Sequence, residues 1–260
     1  MANTEREIEM ARDILPKKKI GVLAPRAIVE YGPYEFYNLA PKGILLTVVP
    51  LGIKQFTREG VEEVFKDIDT QLEQLILRKV DAISQDGVPL QCLVGVEAHD
   101  ARLDYIRTKT GVPVSSGVVG AIEAAKRLGI GRIAFGNKFT DSVNNELARF
   151  FTRAGIDVTG YHSWGEGRGS TYGNDIKKVS HADLVKIGYE VGRRTFEENP
   201  TADGIYMPGG SWSLNQVVID LEAEFGKPVL AHRHVAVWDM VRLVGMWKPK
   251  KGYGRLLGSA

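Results

Sequence analysis

One cysteine in 260 residues, Cys92, is the sharpest shortage in this chain. It excludes an internal disulfide and any metal site built from several thiolates. Long apolar runs are missing as well: none approaches the roughly 18 residues that would span a bilayer. The opening Met1-Ala2-Asn3-Thr4-Glu5-Arg6-Glu7 lacks the basic-then-apolar order of a secretory signal, so a cytoplasmic protein with no membrane partner is predicted. Charge of one sign is also scarce. The 34 basic side chains against 32 acidic ones leave a formal charge of +2, and no basic stripe with interleaved aromatics marks a nucleic-acid surface. The lysines at 17–19 and 248–251 read as solvated ends.

What is present is a repetition. Val80-Asp81-Ala82-Ile83-Ser84-Gln85-Asp86-Gly87-Val88-Pro89 crosses a helix-like segment and re-enters a strand at Gly111-Val112-Pro113-Val114. Ala202-Asp203-Gly204-Ile205-Tyr206-Met207-Pro208-Gly209-Gly210-Ser211 does the same and re-enters at Gly226-Lys227-Pro228-Val229. Each copy reads as strand, tight turn, helix, strand. A strand that feeds a glycine turn and then a helix start aims free backbone N–H groups at one spot, which suits a carboxylate or phosphate. Two such turns facing each other make a cleft between similar halves.

The rest of the chain alternates short β-rich apolar runs with amphipathic helical runs, the pattern of an α/β protein with parallel sheets. Strands are predicted near 19–24, 43–50, 80–85 and 112–115, and again near 131–136, 157–162, 203–207 and 228–231. Helices fit at about 59–78, 89–108, 117–128, 140–154, 181–197, 213–225 and 234–246. The expected fold is two pseudo-symmetric four-stranded parallel sheets flanked by helices, with the active site in the cleft between them. The division is expected as 1–116 plus 234–260 for one half and 117–233 for the other. Two connections, 25–42 and 163–180, are long for such a fold, and long loops at the carboxyl ends of parallel strands hold ligands. The first, with Tyr31 and Tyr34, is read as an active-site lid.

Several side chains fall at the predicted cleft. Asp86 ends the third strand, and a buried carboxylate against apolar walls would have a raised pKa and serve as general acid or base. His232 and His234 close the eighth strand. Two residues apart on an extended segment, they would point to the same side and reach one ligand, and imidazole titrates near neutrality. A His-x-His pair with Asp86 is also a weak metal-ligand pattern. Arg26 offers a bidentate site for a substrate carboxylate, or a salt bridge to Glu30 or Glu35. Tyr31 would add a phenol or an aromatic wall, and Trp212 would line the pocket or pack against the helix start. His99, His162 and His181 are read as surface residues.

The segment Gly204 to Gly210, the run Val237-Trp238-Asp239-Met240-Val241-Arg242-Leu243, the tail Gly252-Tyr253-Gly254-Arg255-Leu256 and the motif Asp141-Ser142-Val143-Asn144 resemble arylmalonate decarboxylase and its relatives, the maleate cis-trans isomerases and the aspartate/glutamate racemases. The resemblance implies a racemase-like fold and a cofactor-free enzyme for a small carboxylate, with no metal. In that family one or two cysteines sit at the two matching turns and move a proton at a carbon beside a carboxylate. Here the matching positions are Gly87 and Pro208, which carry no proton, and Cys92 lies past the first turn as a packed small side chain. The hydroxyl pair that follows the first turn is replaced by Val88 and Pro89, and a tyrosine before the Asp-x-Val-Asn motif by Phe139. Gly209, Gly210 and Ser211 remain from the family's anion cradle.

Four readings follow. The first is a cofactor-independent lyase that decarboxylates, or otherwise eliminates from, a small and possibly aromatic acid through an enediolate-like intermediate. Asp86, His232 and His234 are then its proton-handling groups. The second is a hydrolase or hydratase in which Asp86 and His232 activate water, with or without a metal. The third is a cysteine-independent isomerase or racemase, and the fourth a carboxylate-binding protein without catalysis. The partner in every case is a small-molecule carboxylate, and nothing in the sequence fixes an oligomeric state.

Overall fold

The computed structural model of this protein describes residues 15–26, 32–164, 180–209, 212 and 214–260. Tyr31, Gly210 and Ser211, with parts of both long connections, lie outside the described residues.

Eight strands form two sheets. The first contains β1 (Lys18–Ala24), β2 (Ile44–Pro50), β3 (Ala82–Gln85) and β4 (Val114–Ser116) in the order β2-β1-β3-β4. The second contains β5 (Arg132–Asn137), β6 (Asp157–Ser163), β7 (Gly204–Met207) and β8 (Val229–Ala231) in the order β6-β5-β7-β8. All pairings are parallel. The two sheets repeat one topology, so β1 corresponds to β5 and β3 to β7. Strands such as β3 and β7 are buried along their whole length, as expected of parallel strands covered by helices on both faces.

Among the described residues the helices are α1 (Gly32–Leu39), α2 (Arg58–Lys66), α3 (Ile68–Leu77), α4 (Val88–Val94), α5 (Val96–Thr110), α6 (Gly117–Arg127), α7 (Asp141–Arg153), α8 (His181–Glu198), α9 (Asn215–Phe225), α10 (His232–Leu243) and α11 (Gly254–Gly258). Four of the predicted boundaries differ. The run 59–78 breaks at Asp67, whose φ of −109° and ψ of 22° leave helical geometry. The run 89–108 breaks at Gly95, which adopts φ 87°, a conformation glycine takes without steric cost. The connection 25–42 contains α1, because Pro33 sits in the first turn, where its missing N–H costs nothing. Finally, α10 begins at His232 rather than 234.

Side-chain caps fix several helix starts: Ser116 Oγ accepts from Val119 N–H at α6, and Thr140 Oγ1 accepts from Val143 N–H at α7. One apolar cluster draws on both sheets, joining Ile20 and Ala82 of the first to Phe135, Tyr206 and Leu230 of the second. Helices α6 and α10 pack together over this junction. Their approach is close because Gly120 faces Asp239, and a Cβ at Gly120 would lie 3.0 Å from that side chain. No helix among the described residues is long and apolar enough to cross a membrane.

Candidate active site

The carboxyl ends of β1, β3, β7 and β8 open on one cavity of about 150 Å³. Val22, Phe36, Leu46, Val48, Phe56 and Met240 form much of its wall, and an apolar cavity of about this size admits a benzene-sized guest. Its polar edge carries Arg26, Asp86, His232 and Arg233, and both Gly87 and Gly209 line it. The two repeated turns therefore meet at a single cavity.

Asp86 and His232 are in direct contact there. His232 Nε2 lies 3.0 Å from Asp86 Oδ1, with the His232 side chain 4% exposed and that of Asp86 25% exposed. Burial pushes the Asp86 carboxyl up. The hydrogen bond from His232, the charges of His232 and Arg233, and the Gly87 N–H outweigh it and hold the group well below the usual carboxylate range. The expected raised pKa is thus corrected: Asp86 has cationic neighbours rather than apolar walls alone. Because Asp86 is ionised and can only accept, Nε2 carries the hydrogen of this bond. His232 Nδ1 is buried without a hydrogen-bond partner among the described residues. An ionised carboxylate on one ring nitrogen fixes the tautomer and supports an imidazolium when one forms, which is how a histidine is prepared to take up a proton.

The expectation that His232 and His234 share one ligand does not survive the helix start. From His232 onward the chain turns as α10, and successive side chains no longer alternate about a strand. His234 Nε2 donates to Asn215 Oδ1 at 2.8 Å, and burial lowers its pKa to about 4. It faces a small pocket beside Trp212 rather than the 150 Å³ cavity. The same change brings in a residue to which the sequence assigned no role. Arg233 lines the cavity, its Nε lies 3.0 Å from Glu35 Oε2 of α1, and its Nη1 lies 4.0 Å from Asp86 Oδ2. Glu35 therefore pairs with Arg233, while Arg26 lies over the Phe56 ring at 5.7 Å.

The backbone cradle is also revised. Gly87 N–H donates to Asp86 Oδ1 at 2.7 Å, so that amide holds the carboxylate rather than waiting for a guest. Pro89 has no N–H, which leaves Val88 as the donor residue of that turn, and Val88 lines the cavity. Phe139 and Pro208 are buried and are not among the cavity's lining residues; Phe139 is part of the core. Trp212 is 2% exposed and packs in the second sheet's core.

A side chain that the sequence reading passed over stands at the end of β5. Lys138 is 6% exposed, with Nζ 4.4 Å from the Trp212 ring. Burial first, then the nearby Arg26 charge, lower its pKa to about 7. The Asp141-Ser142-Val143-Asn144 motif holds this turn in place. Asn137 Nδ2 donates to Asn144 Oδ1 at 2.7 Å, Phe139 N–H donates to Asn137 Oδ1 at 2.8 Å, and Asn144 Nδ2 donates to Ser163 Oγ at 3.1 Å. The available signal was a lone lysine at the end of an apolar strand, where a charge is costly to bury.

Two further histidines have partners. His99, read as a surface residue, is 1% exposed and bridges Ser116 Oγ at 2.9 Å and Asp100 Oδ1 at 3.1 Å. Ser116 Oγ serves as the cap of α6, so this Ser-His-Asp order is a structural brace. His162 pairs with Glu198 at 3.0 Å. Cys92 is buried in the core, and burial, with the Glu146 charge, pushes its thiol far up. Among the described residues no group of three or more His, Cys, Asp or Glu side chains is placed to hold a metal ion.

Two sheets of identical strand order, with their paired strand ends meeting at one cavity, define a racemase-like α/β protein. The chain belongs to the arylmalonate decarboxylase family, whose model matches residues 20–257. It is 28% identical over 207 residues to the arylmalonate decarboxylase of Bordetella bronchiseptica, covering 79% of this chain and 83% of that one. A solved structure of unliganded arylmalonate decarboxylase superposes with a TM-score of 0.76 at 26% identity, covering 94% of this chain and all of that one. The maleate isomerase from Pseudomonas putida S16 shares the fold, with a TM-score of 0.77 at 16% identity over 93% of this chain and 98% of that one.

Proposed function

We propose that this protein is a cofactor-independent lyase that decarboxylates a small, ring-bearing malonate-type acid. The observation that carries this reading is the 3.0 Å contact between His232 and an ionised Asp86 at the cavity where the Gly87 and Gly209 turns meet. As CO₂ leaves, the electron pair of the broken C–C bond stays on the alpha carbon and spreads into the remaining carboxylate, giving an enediolate. Cationic groups and the Val88 amide at the cavity edge stabilise that charge, and preorganised donors of this kind are worth several kcal/mol. His232 takes up a proton from solvent, the ionised Asp86 holds the resulting imidazolium, and the imidazolium passes that proton to the alpha carbon in place of a thiol, returning to neutral imidazole. The apolar wall accepts the ring, and the similarity to an arylmalonate decarboxylase supports the same substrate class.

Phenylmalonate supplied to the purified protein should yield CO₂ and phenylacetate. His232→Ala and Asp86→Asn should each lower turnover by about 100-fold or more, the usual weight of a positioned acid–base group, while affinity for phenylacetate is retained. Unchanged turnover in both variants would remove the pair from the mechanism. A second reading is favoured by the same pair: an imidazole oriented by a carboxylate also activates water. A product that has gained the elements of water, with no CO₂ released, would identify that hydratase or hydrolase.

A further inference from the structure

Two walls of the 150 Å³ cavity act as rulers of its length. Along α10 it is lined by His232, Arg233, Ala236, Val237 and Met240, one helix stripe that at 1.5 Å per residue runs for about 12 Å. On the sheet the lining goes from Ala24, at the carboxyl end of β1, down to Leu46 of β2, which lies opposite Ile20. The steps from Ala24 back to Ile20 cover about 13 Å of strand. Both walls start at the polar edge, where His232 meets Asp86, and both run away from it. Pro33 and Phe36 of α1 roof the space between them. That roof is tied on both sides: Glu35 pairs with Arg233 at 3.0 Å, and the Tyr37 hydroxyl accepts from Leu46 N–H at 3.0 Å. The fold therefore fixes the width. A length of about 12 Å in a volume of about 150 Å³ makes a narrow slot, and a phenyl ring on the alpha carbon fills less than half of that length. Beyond Arg233 the walls are Val22, Leu46, Val48, Ala236, Val237 and Met240, none with a hydrogen-bonding side chain, so the complementary guest there is a hydrocarbon.

We propose that the slot takes an unbranched alkyl chain carried on the far side of the substrate ring from its acid carbon, so that the site selects para-alkylphenyl acids. The acid lies at the polar edge, the ring beside Phe36 and Phe56, and the chain between Leu46 and Met240. A branched group of the same carbon count needs width that the tied roof does not give. This rests on the lyase reading only in placing the acid carbon beside His232.

Calorimetric titration of the full chain with phenylacetate and its para-methyl, ethyl, propyl, butyl and tert-butyl derivatives tests it. Affinity should rise by about fourfold for each methylene that enters the slot, the gain from burying one CH₂. The butyl acid should bind about tenfold tighter than its tert-butyl isomer, because forcing extra width into packed walls is unfavourable. Leu46→Ala should move the best chain to a longer one and Leu46→Phe to a shorter one, and either variant decides the point should the other fail to fold. A flat series, an affinity that follows carbon count regardless of branching, an optimum unmoved in a folded Leu46 variant, or no binding of any of these acids would overturn the slot. Chain-length selection without turnover of phenylmalonate or para-butylphenylmalonate would sink the lyase reading alone, whereas turnover with a flat series would sink the slot alone.

Discussion

A thiol is useful in proton transfer only if it can ionise near the substrate, and Cys92 meets neither condition. Its sulfur is packed in the core, and burial together with the Glu146 charge raises its pKa. Cys92→Ser should therefore leave turnover of phenylmalonate within about twofold of wild type, with at most a modest loss of stability from a buried hydroxyl. Strong loss of activity at unchanged stability would return sulfur to the mechanism. That Asp86 and His232 stand at the ends of β3 and β8 was legible from the sequence. Their direct contact was not, since it joins residues that only the tertiary fold brings together. The burial of Lys138 and the place of Arg233 at the cavity were not legible, for different reasons. Lys138 belongs to no repeated motif, and the position of Arg233 changes face when the strand stops at Ala231.

Helix α10 shows why that stop matters. Its first turn carries His232 toward Asp86 and His234 toward Asn215, so one short segment supplies a polar group to the cavity and a brace to the second sheet. The brace has a pH signature. His234 is buried neutral with a pKa of about 4, whereas an unfolded histidine binds a proton near 6.5. Between these values the unfolded chain holds more protons, so stability falls as pH drops from about 6.5 to 4 and levels below that, by roughly 3 kcal/mol at most. His99, also lowered by burial, adds in the same direction, while the depressed Asp86 acts further into acid. Urea unfolding of His234→Gln at pH 7 and pH 4.5 should show a smaller acid loss than wild type. An equal loss in both proteins would show that His234 does not titrate as described. Helix α1 was illegible because Gly32-Pro33 reads locally as a turn; it is held by the Glu35–Arg233 ion pair and by Phe36 in the core.

At the scale of the whole molecule, the repeated strand-turn-helix unit was the strongest signal in the sequence, and the two sheets follow it strand for strand. Parallel strands covered on both faces leave an unmistakable apolar pattern, whereas helix breaks at Asp67 and Gly95 depend on one residue each. The same duplication explains why equivalent strand ends present matching features, the Gly87 and Gly209 turns that line one cavity. The central claim is that this cleft holds the reacting acid against the Asp86–His232 pair. A crystal structure of the Asp86→Asn protein with phenylmalonate bound would test it most directly. The account predicts the ring against Phe36, Phe56 and Met240, and the alpha carbon within reach of His232. An acid bound elsewhere on the molecule, or one whose alpha carbon lies beyond any contact with His232 and position 86, would contradict it.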